Sequence, residues 1–282
     1  MHSRVPWMVL TLAGSALSGC MTPTPYGADV DEQQLNKVAS QNLQKPRSPE
    51  RLRFVALGDS HDAYDELWDT VGAINQLPDV DFVVHAGDIS DYGLAQEYEW
   101  SGRALSGLRV PAFVVIGNHD AISNGKAIYR KLYGPFDFSL RYGAYKLVFF
   151  NSNALEFDRA APNRTWLATE LSDLQGATSV VLVTHQNPAA PDVPAGSDDA
   201  AFYEHLVAAY PISLIVHGHL DDFELAAWQQ VPKLQLGTFR KSHQFSLVSL
   251  SGGQLSVQLC DASGCVPGPS FEQEPPRNET SP

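Results

Sequence analysis

The chain has 282 residues, and its 19 Lys and Arg against 32 Asp and Glu give a formal net charge of −13. That acidity argues against grip on nucleic acid duplexes or anionic lipid through a basic surface. Residues 51–265 are long enough for one large domain with its own core, and no internal repeat is visible.

In chain order, Arg4 precedes an apolar stretch over 5–16 that is too short for a stable transmembrane span, and Leu17-Ser18-Gly19-Cys20 follows. This arrangement resembles a bacterial lipoprotein signal peptide with its lipobox. The resemblance implies removal of residues 1–19, acylation of Cys20 and attachment to a membrane of the bacterial cell envelope through that N-terminal lipid. Met21 stands where many Gram-negative inner-membrane lipoproteins have Asp, which points to the periplasmic face of the outer membrane. Residues 20–50 hold Pro23, Pro25, Pro46 and Pro49 among polar side chains and read as a flexible tether, with a short helical pattern near Leu35 and Val38.

Apolar runs rich in β-branched and aromatic residues at 54–57, 82–84, 113–116, 180–183 and 212–216 read as buried strands. Helical periodicity appears at 64–77, 94–108, 124–133 and 165–174, with His205 on a further helix face. Segments 136–142 and 145–150 form a hairpin pattern around Gly143. Late strands at 233–236, 245–250 and 254–259, with Gly252-Gly253 as a tight turn, suggest a second sheet. Residues 266–282, rich in Pro and Glu, read as a disordered tail.

Each of the five buried runs ends in a short polar motif: Gly58-Asp59-Ser60-His61, Gly87-Asp88, Gly117-Asn118-His119-Asp120, Thr184-His185 and Gly218-His219-Leu220-Asp221. Asp59, Asp88 and Asn118 fall 29 and 30 residues apart, the length of a βαβ unit. Loops leaving the carboxyl ends of such strands converge on one crevice. Asp, Asn and His together offer hard oxygen and borderline imidazole donors, a mixture suited to Mn, Fe or Zn, with no thiolate competing. A single Gly-Asp after a strand is more commonly a turn or cap. The ordered set reverses those odds.

That order resembles the calcineurin-like metallophosphoesterase superfamily over roughly residues 53–240. The resemblance implies an α/β fold, a four-layer αββα sandwich of two mixed β-sheets flanked by helices. It implies two divalent or trivalent metal ions, one held by Asp59, His61 and Asp88 and the other by Asp88, Asn118, His185 and His219, with Asp88 as the bridge. Asp221 stands where the family usually has a second His completing the first site; His217 is the second choice there. The implied activity is hydrolysis of a phosphomonoester or phosphodiester, with hydroxide generated at the ions as nucleophile. His119 would contact the phosphate or protonate the leaving oxygen, with Asp120 orienting its imidazole. Purple acid phosphatases carry Tyr three residues after the bridging Asp, and Asp91 occupies that position here, so an iron–tyrosinate centre is not expected.

Asp62, Asp91 and Asp222 read as caps or supporting groups, Asn151 and Asn153 as turn formers, and His85 as a packed strand residue. Arg240 is the cation singled out as a phosphate contact. Cys260 and Cys265 flank a four-residue turn, and an oxidising envelope compartment favours a small-loop disulfide over free thiols. The expected partner is a small phosphorylated substrate. The competing reading is a non-catalytic metal-binding or phosphate-binding lipoprotein whose first site is degenerate because of Asp221.

Overall fold

The computed structural model describes residues 26–188 and 198–271. Cys20 lies outside them, as does most of the segment 188–199 that adjoins the site in sequence. The strands are β1 (Arg51–Leu57), β2 (Phe82–His85), β3 (Ala112–Val114), β4 (Phe138–Tyr142), β5 (Tyr145–Phe149) and β6 (Ser179–Val183). Then come β7 (Ile212–His217), β8 (Phe223–Trp228), β9 (Val231–Leu236), β10 (Phe245–Ser251), β11 (Gln254–Asp261) and β12 (Gly264–Phe271). The helices are α1 (Leu35–Asn42), α2 (Tyr64–Ile74), α3 (Ala95–Leu105), α4 (Gly125–Leu132), α5 (Arg164–Ser172), α6 (Asp198–Ala209) and α7 (Phe239–Ser242).

Two six-stranded mixed sheets, in the orders β12-β11-β10-β1-β2-β3 and β4-β5-β6-β7-β9-β8, pack face to face. Strand alternation sorts each side chain into a layer. Along β1, Phe54 and Ala56 enter the core between the sheets with Phe82, Phe149, Val181 and Val216, while Val55 and Leu57 enter the core beneath α2, α3 and α4. Outside the second sheet, Val148, Leu182 and Ile215 pack with Leu167 of α5 and Leu206 of α6. Burial on both faces explains why these strands read as continuous apolar runs. The four-layer αββα sandwich is thus the observed fold.

β1, β2 and β3 run parallel, as do β5, β6, β7 and β9. The carboxyl ends of β1–β3 in one sheet and of β6 and β7 in the other therefore bring the five motifs to one edge of the sandwich.

Three boundaries differ from the sequence reading. First, the late strands do not build the second sheet as a group: β10 pairs antiparallel with β1, Val55 opposite Leu247, so β10–β12 extend the first sheet. Second, the flexible tether expected over 20–50 gives way to folded structure from residue 33. The Asn36 side chain donates to Val114 O at 2.9 Å and accepts from Val114 N at 2.9 Å, pairing the edge strand β3 that would otherwise present bare backbone. Third, residues 266–271 are strand rather than tail. β12 is an edge strand, where Pro267 and Pro269 are tolerated, and the Cys260–Cys265 disulfide ties its start to β11.

Candidate metal centre

The motif loops hold their residues in unusual backbone conformations. Asp59, His61, Asp88 and His219 have φ of 56°, 45°, 54° and 73°. The left-handed region costs a non-glycine residue about 1–2 kcal/mol, so the surrounding fold must over-determine it. Two motif glycines show how closely. A side chain on Gly117 would strike Asp88 Oδ1 and its backbone nitrogen, and one on Gly218 would strike Asp59 Oδ2.

Two groups of ligand atoms share Asp88. His61, Asp88 and His119 each offer an atom within 4.8 Å of the others, and so do Asp88, His185 and His219. In the second group His185 is fully buried, and its Nδ1 donates to Ala86 O at 2.8 Å. The carbonyl only accepts, so a neutral His185 carries its lone pair on Nε2. That nitrogen faces Asn118 Oδ1 at 2.8 Å, Asp88 Oδ2 at 3.2 Å and His219 Nδ1 at 3.3 Å. Asn118 Oδ1 in turn lies 2.9 Å from His219 Nδ1. Oxygen and imidazole nitrogen atoms crowded this way suit a cation, whether a proton or a metal ion.

The electrostatics agree. Burial opposes the charged imidazolium of His185, but the Asp88 and Asp59 carboxylates outweigh it and raise its pKa to about 10. Burial, reinforced by Asp88, lifts Asp59 to about 8. Asp88 goes the other way: burial would raise it, but His185, His61 and His119 hold it below the usual carboxylate range. Three carboxyl groups buried together at Asp59, Asp88 and Asp120 resist joint ionisation, and bound cations are the natural complement that would let them ionise. The donor set of carboxylate, amide oxygen and imidazole fits Mn, Fe or Zn.

Of the residues singled out in the sequence, the structure brings His61, Asp88, Asn118, His185 and His219 together. Asp59 adjoins them without belonging to either group: both of its carboxylate oxygens lie 3.0 Å from His219 N. Asp221 is directed elsewhere. Its exposed carboxylate accepts from Thr238 Oγ1 at 2.9 Å and pairs with Lys241 Nζ at 2.5 Å, contacts that lower its pKa. α7, which carries Lys241, has no counterpart in the sequence reading. His217 joins neither group; it is buried with Nδ1 3.0 Å from Gly218 O, and burial lowers it to about 3.

Asp120 also departs from its expected contact. Its carboxylate accepts from the backbone nitrogens of Asp88, Ser90 and Gly117 and from Ser90 Oγ at 2.8–2.9 Å, clamping the second and third motif loops together. Asp91 takes the place beside His119 instead. Its carbonyl oxygen is 2.9 Å from His119 Nδ1, and its Oδ1 lies 3.6 Å from the same nitrogen and 3.2 Å from His61 Nδ1. Arg240 Nη1 approaches that Oδ1 at 3.5 Å while Nε and Nη2 engage Asp62 at 2.7 and 3.1 Å. The spacing of three residues after Asp88 was the available signal for Asp91.

Around the centre, Asn153 Nδ2 donates to Ile116 O at 2.8 Å and its N–H to Asn151 Oδ1 at 3.0 Å, a turn that also braces the third strand's loop. His85 is buried against Ser60 Oγ at 3.0 Å, beneath the first motif.

Residues 52–221 match the calcineurin-like phosphoesterase family. A probable cyclic nucleotide phosphodiesterase of Rhodopseudomonas palustris is 33% identical over 81 residues, 24% of this chain and 30% of that protein. A probable glycerophosphodiester phosphodiesterase of Arcobacter nitrofigilis is 38% identical over 66 residues, 23% of this chain and 24% of that protein. The matched region thus spans less than a third of either curated relative. Among solved structures, a purple acid phosphatase from yellow lupin (Lupinus luteus) superposes with a TM-score of 0.60 at 15% identity, covering 81% of this chain and 54% of that one. GAP50, the anchor in the inner membrane complex of Plasmodium, gives 0.61 at 14% identity, covering 82% and 90%. At such identities the likeness is one of fold, and that fold carries an enzyme in one case and an anchor in the other. The extent of the family match together with the sandwich architecture leads to one conclusion: the chain belongs to the calcineurin-like phosphoesterase family.

Proposed function

We propose that this protein is a metal-dependent phosphoesterase with a dinuclear centre. One ion would sit among Asp59, His61 and Asp88, and the other among Asp88, Asn118, His185 and His219. The observation that supports this most strongly is the convergence of His185 Nε2, Asn118 Oδ1, Asp88 Oδ2 and His219 Nδ1, ligand atoms that a metal ion would unite. When bound, the ions supply Lewis acidity toward the phosphate oxygens and an activated water.

The chain's own side chains do the rest. Asp88 faces both groups, and His119 N donates to its Oδ1 at 2.9 Å, which fixes the start of the His119 turn. With Nδ1–H donated to the Asp91 carbonyl, His119 in its imidazolium form would present Nε2–H to the leaving oxygen and give up that proton, leaving the neutral ring. Arg240, steadied by Asp62 and Asp91, is the phosphate contact. Both curated relatives carry phosphodiesterase names, which makes a diester the first substrate class to test.

The Asp221–Lys241 pair favours a second reading, a metal-bound phosphate-binding protein without turnover. Chromogenic phosphodiester and phosphomonoester assays on protein loaded with manganese, iron, zinc or magnesium separate the two. Turnover abolished by chelation is expected; stoichiometric metal with no turnover of either ester class supports the second reading. Lipid attachment at Cys20 and an envelope location are part of the proposal. Labelling with a fatty acid should depend on Cys20, and incorporation into Cys20→Ala would contradict it.

A further inference from the structure

Nine large hydrophobic side chains are exposed among the described residues, and four of them share one setting. Tyr92, Ile122, Leu155 and Leu220 stand on the loops that leave the carboxyl ends of β2, β3, β5 and β7, the edge of the sandwich that carries the candidate centre. Tyr92 adjoins Asp91, Leu220 adjoins His219, and Ile122 N donates to His119 O at 3.2 Å. The loops also touch one another: a side chain on Gly93 would strike the Ile122 carbonyl oxygen, and Lys126 Nζ donates to Glu156 O, beside Leu155. Exposed apolar side chains rimmed by polar groups mark a surface suited to a ligand's hydrocarbon.

Three cations of this rim have protein partners. Lys241 is paired with Asp221, Lys126 sits 4.6 Å over the Phe157 ring, and Arg240 is held between Asp62 and Asp91. Two ions and Arg240 would serve one phosphate, and Arg159, exposed on the loop that carries Leu155, is a further cation at this rim.

Resting on the phosphoesterase reading, we propose that the rim binds an apolar organic group, so that the substrate class is a phosphodiester carrying a hydrocarbon or aromatic moiety. Calorimetric binding of alkyl methylphosphonates, stable monoanionic mimics, to the manganese-loaded full chain tests this. Affinity should rise about ten-fold or more from the ethyl to the octyl compound, because each buried methylene adds to binding. The double substitution Tyr92→Ser with Leu220→Ser should flatten that rise, Ile122→Ser serving if the pair fails to fold, while Val266→Ser on β12 should retain it. Affinity independent of chain length overturns the apolar rim and leaves the phosphoesterase reading standing. Chain-length dependence without turnover of any ester supports the rim and overturns the phosphoesterase reading, and no binding at all overturns both. Phosphatidylcholine vesicles distinguish the source of the apolar group: headgroup release assigns a membrane lipid, and octyl preference without release assigns a dispersed ester.

Discussion

The two halves of the centre are built differently although they share Asp88. On the side of the second sheet, His185 is fully buried and anchored to a backbone carbonyl, and with Asn118 and His219 it forms a compact set. On the side of the first sheet, His61 and His119 meet edge to face at 4.7 Å, the His119 side chain is 39% exposed, and Asp221 is turned away toward Lys241. Ligands pre-oriented by burial and backbone hydrogen bonds bind metal more tightly than ligands that must be recruited. The expected consequence is one tight and one labile ion.

Removing the shared residue should have the largest effect. Asp88→Asn is expected to abolish binding of both ions and lower turnover by about a thousand-fold or more, beyond the 10–100-fold typical of an outer partner; retention of either ion would break the bridging assignment. His119→Ala is expected to lower kcat by about 10²–10³-fold with metal content unchanged, the range of a general acid. Lost metal in that variant would make His119 a ligand instead. Asp91→Asn should cost about ten-fold in kcat with little change in KM, since it acts through His119 and His61; an effect confined to KM would remove it from that role. Asp221→His should strengthen only the labile ion, and unchanged metal titrations would show that the Lys241 contact is not what weakens that half.

Thermal melts against pH sharpen the same comparison in metal-free protein. His185, raised from 6.5 to about 10, contributes stability that is complete below 6.5 and lost as pH rises through 10. Asp59, raised from 3.8 to about 8, keeps its proton longer in the folded state, so stability falls from pH 3.8 toward 8. Both signs agree. The metal-free Tm should drop by about 5 °C or more from pH 6.5 to 9, and loading with zinc should remove the drop; parallel melting profiles would contradict it.

Much of this was legible in the sequence because it was local. Strand runs, helix periodicity and the polar motif closing each run are properties of neighbouring residues, and their order carried both the sandwich and the convergence of His61, Asp88, Asn118, His185 and His219. What escaped depends on distant partners. Asn36 reads as a tether residue until the edge of β3 needs pairing, and Pro267 reads as tail until β12 is known to be an edge. The fate of Asp221 is set by Lys241 on α7, a four-residue helix too short to leave a periodic signal. Asp91 displaced Asp120 beside His119 because Asp120 sits within reach of three backbone nitrogens, a competition that residue identity alone does not reveal.

The account stands most directly on metal content. Elemental analysis of the full chain reconstituted with manganese and then dialysed should find two ions per chain before dialysis and one retained after it. A chain that takes up no manganese, zinc or iron in stoichiometric amount would contradict the proposed centre.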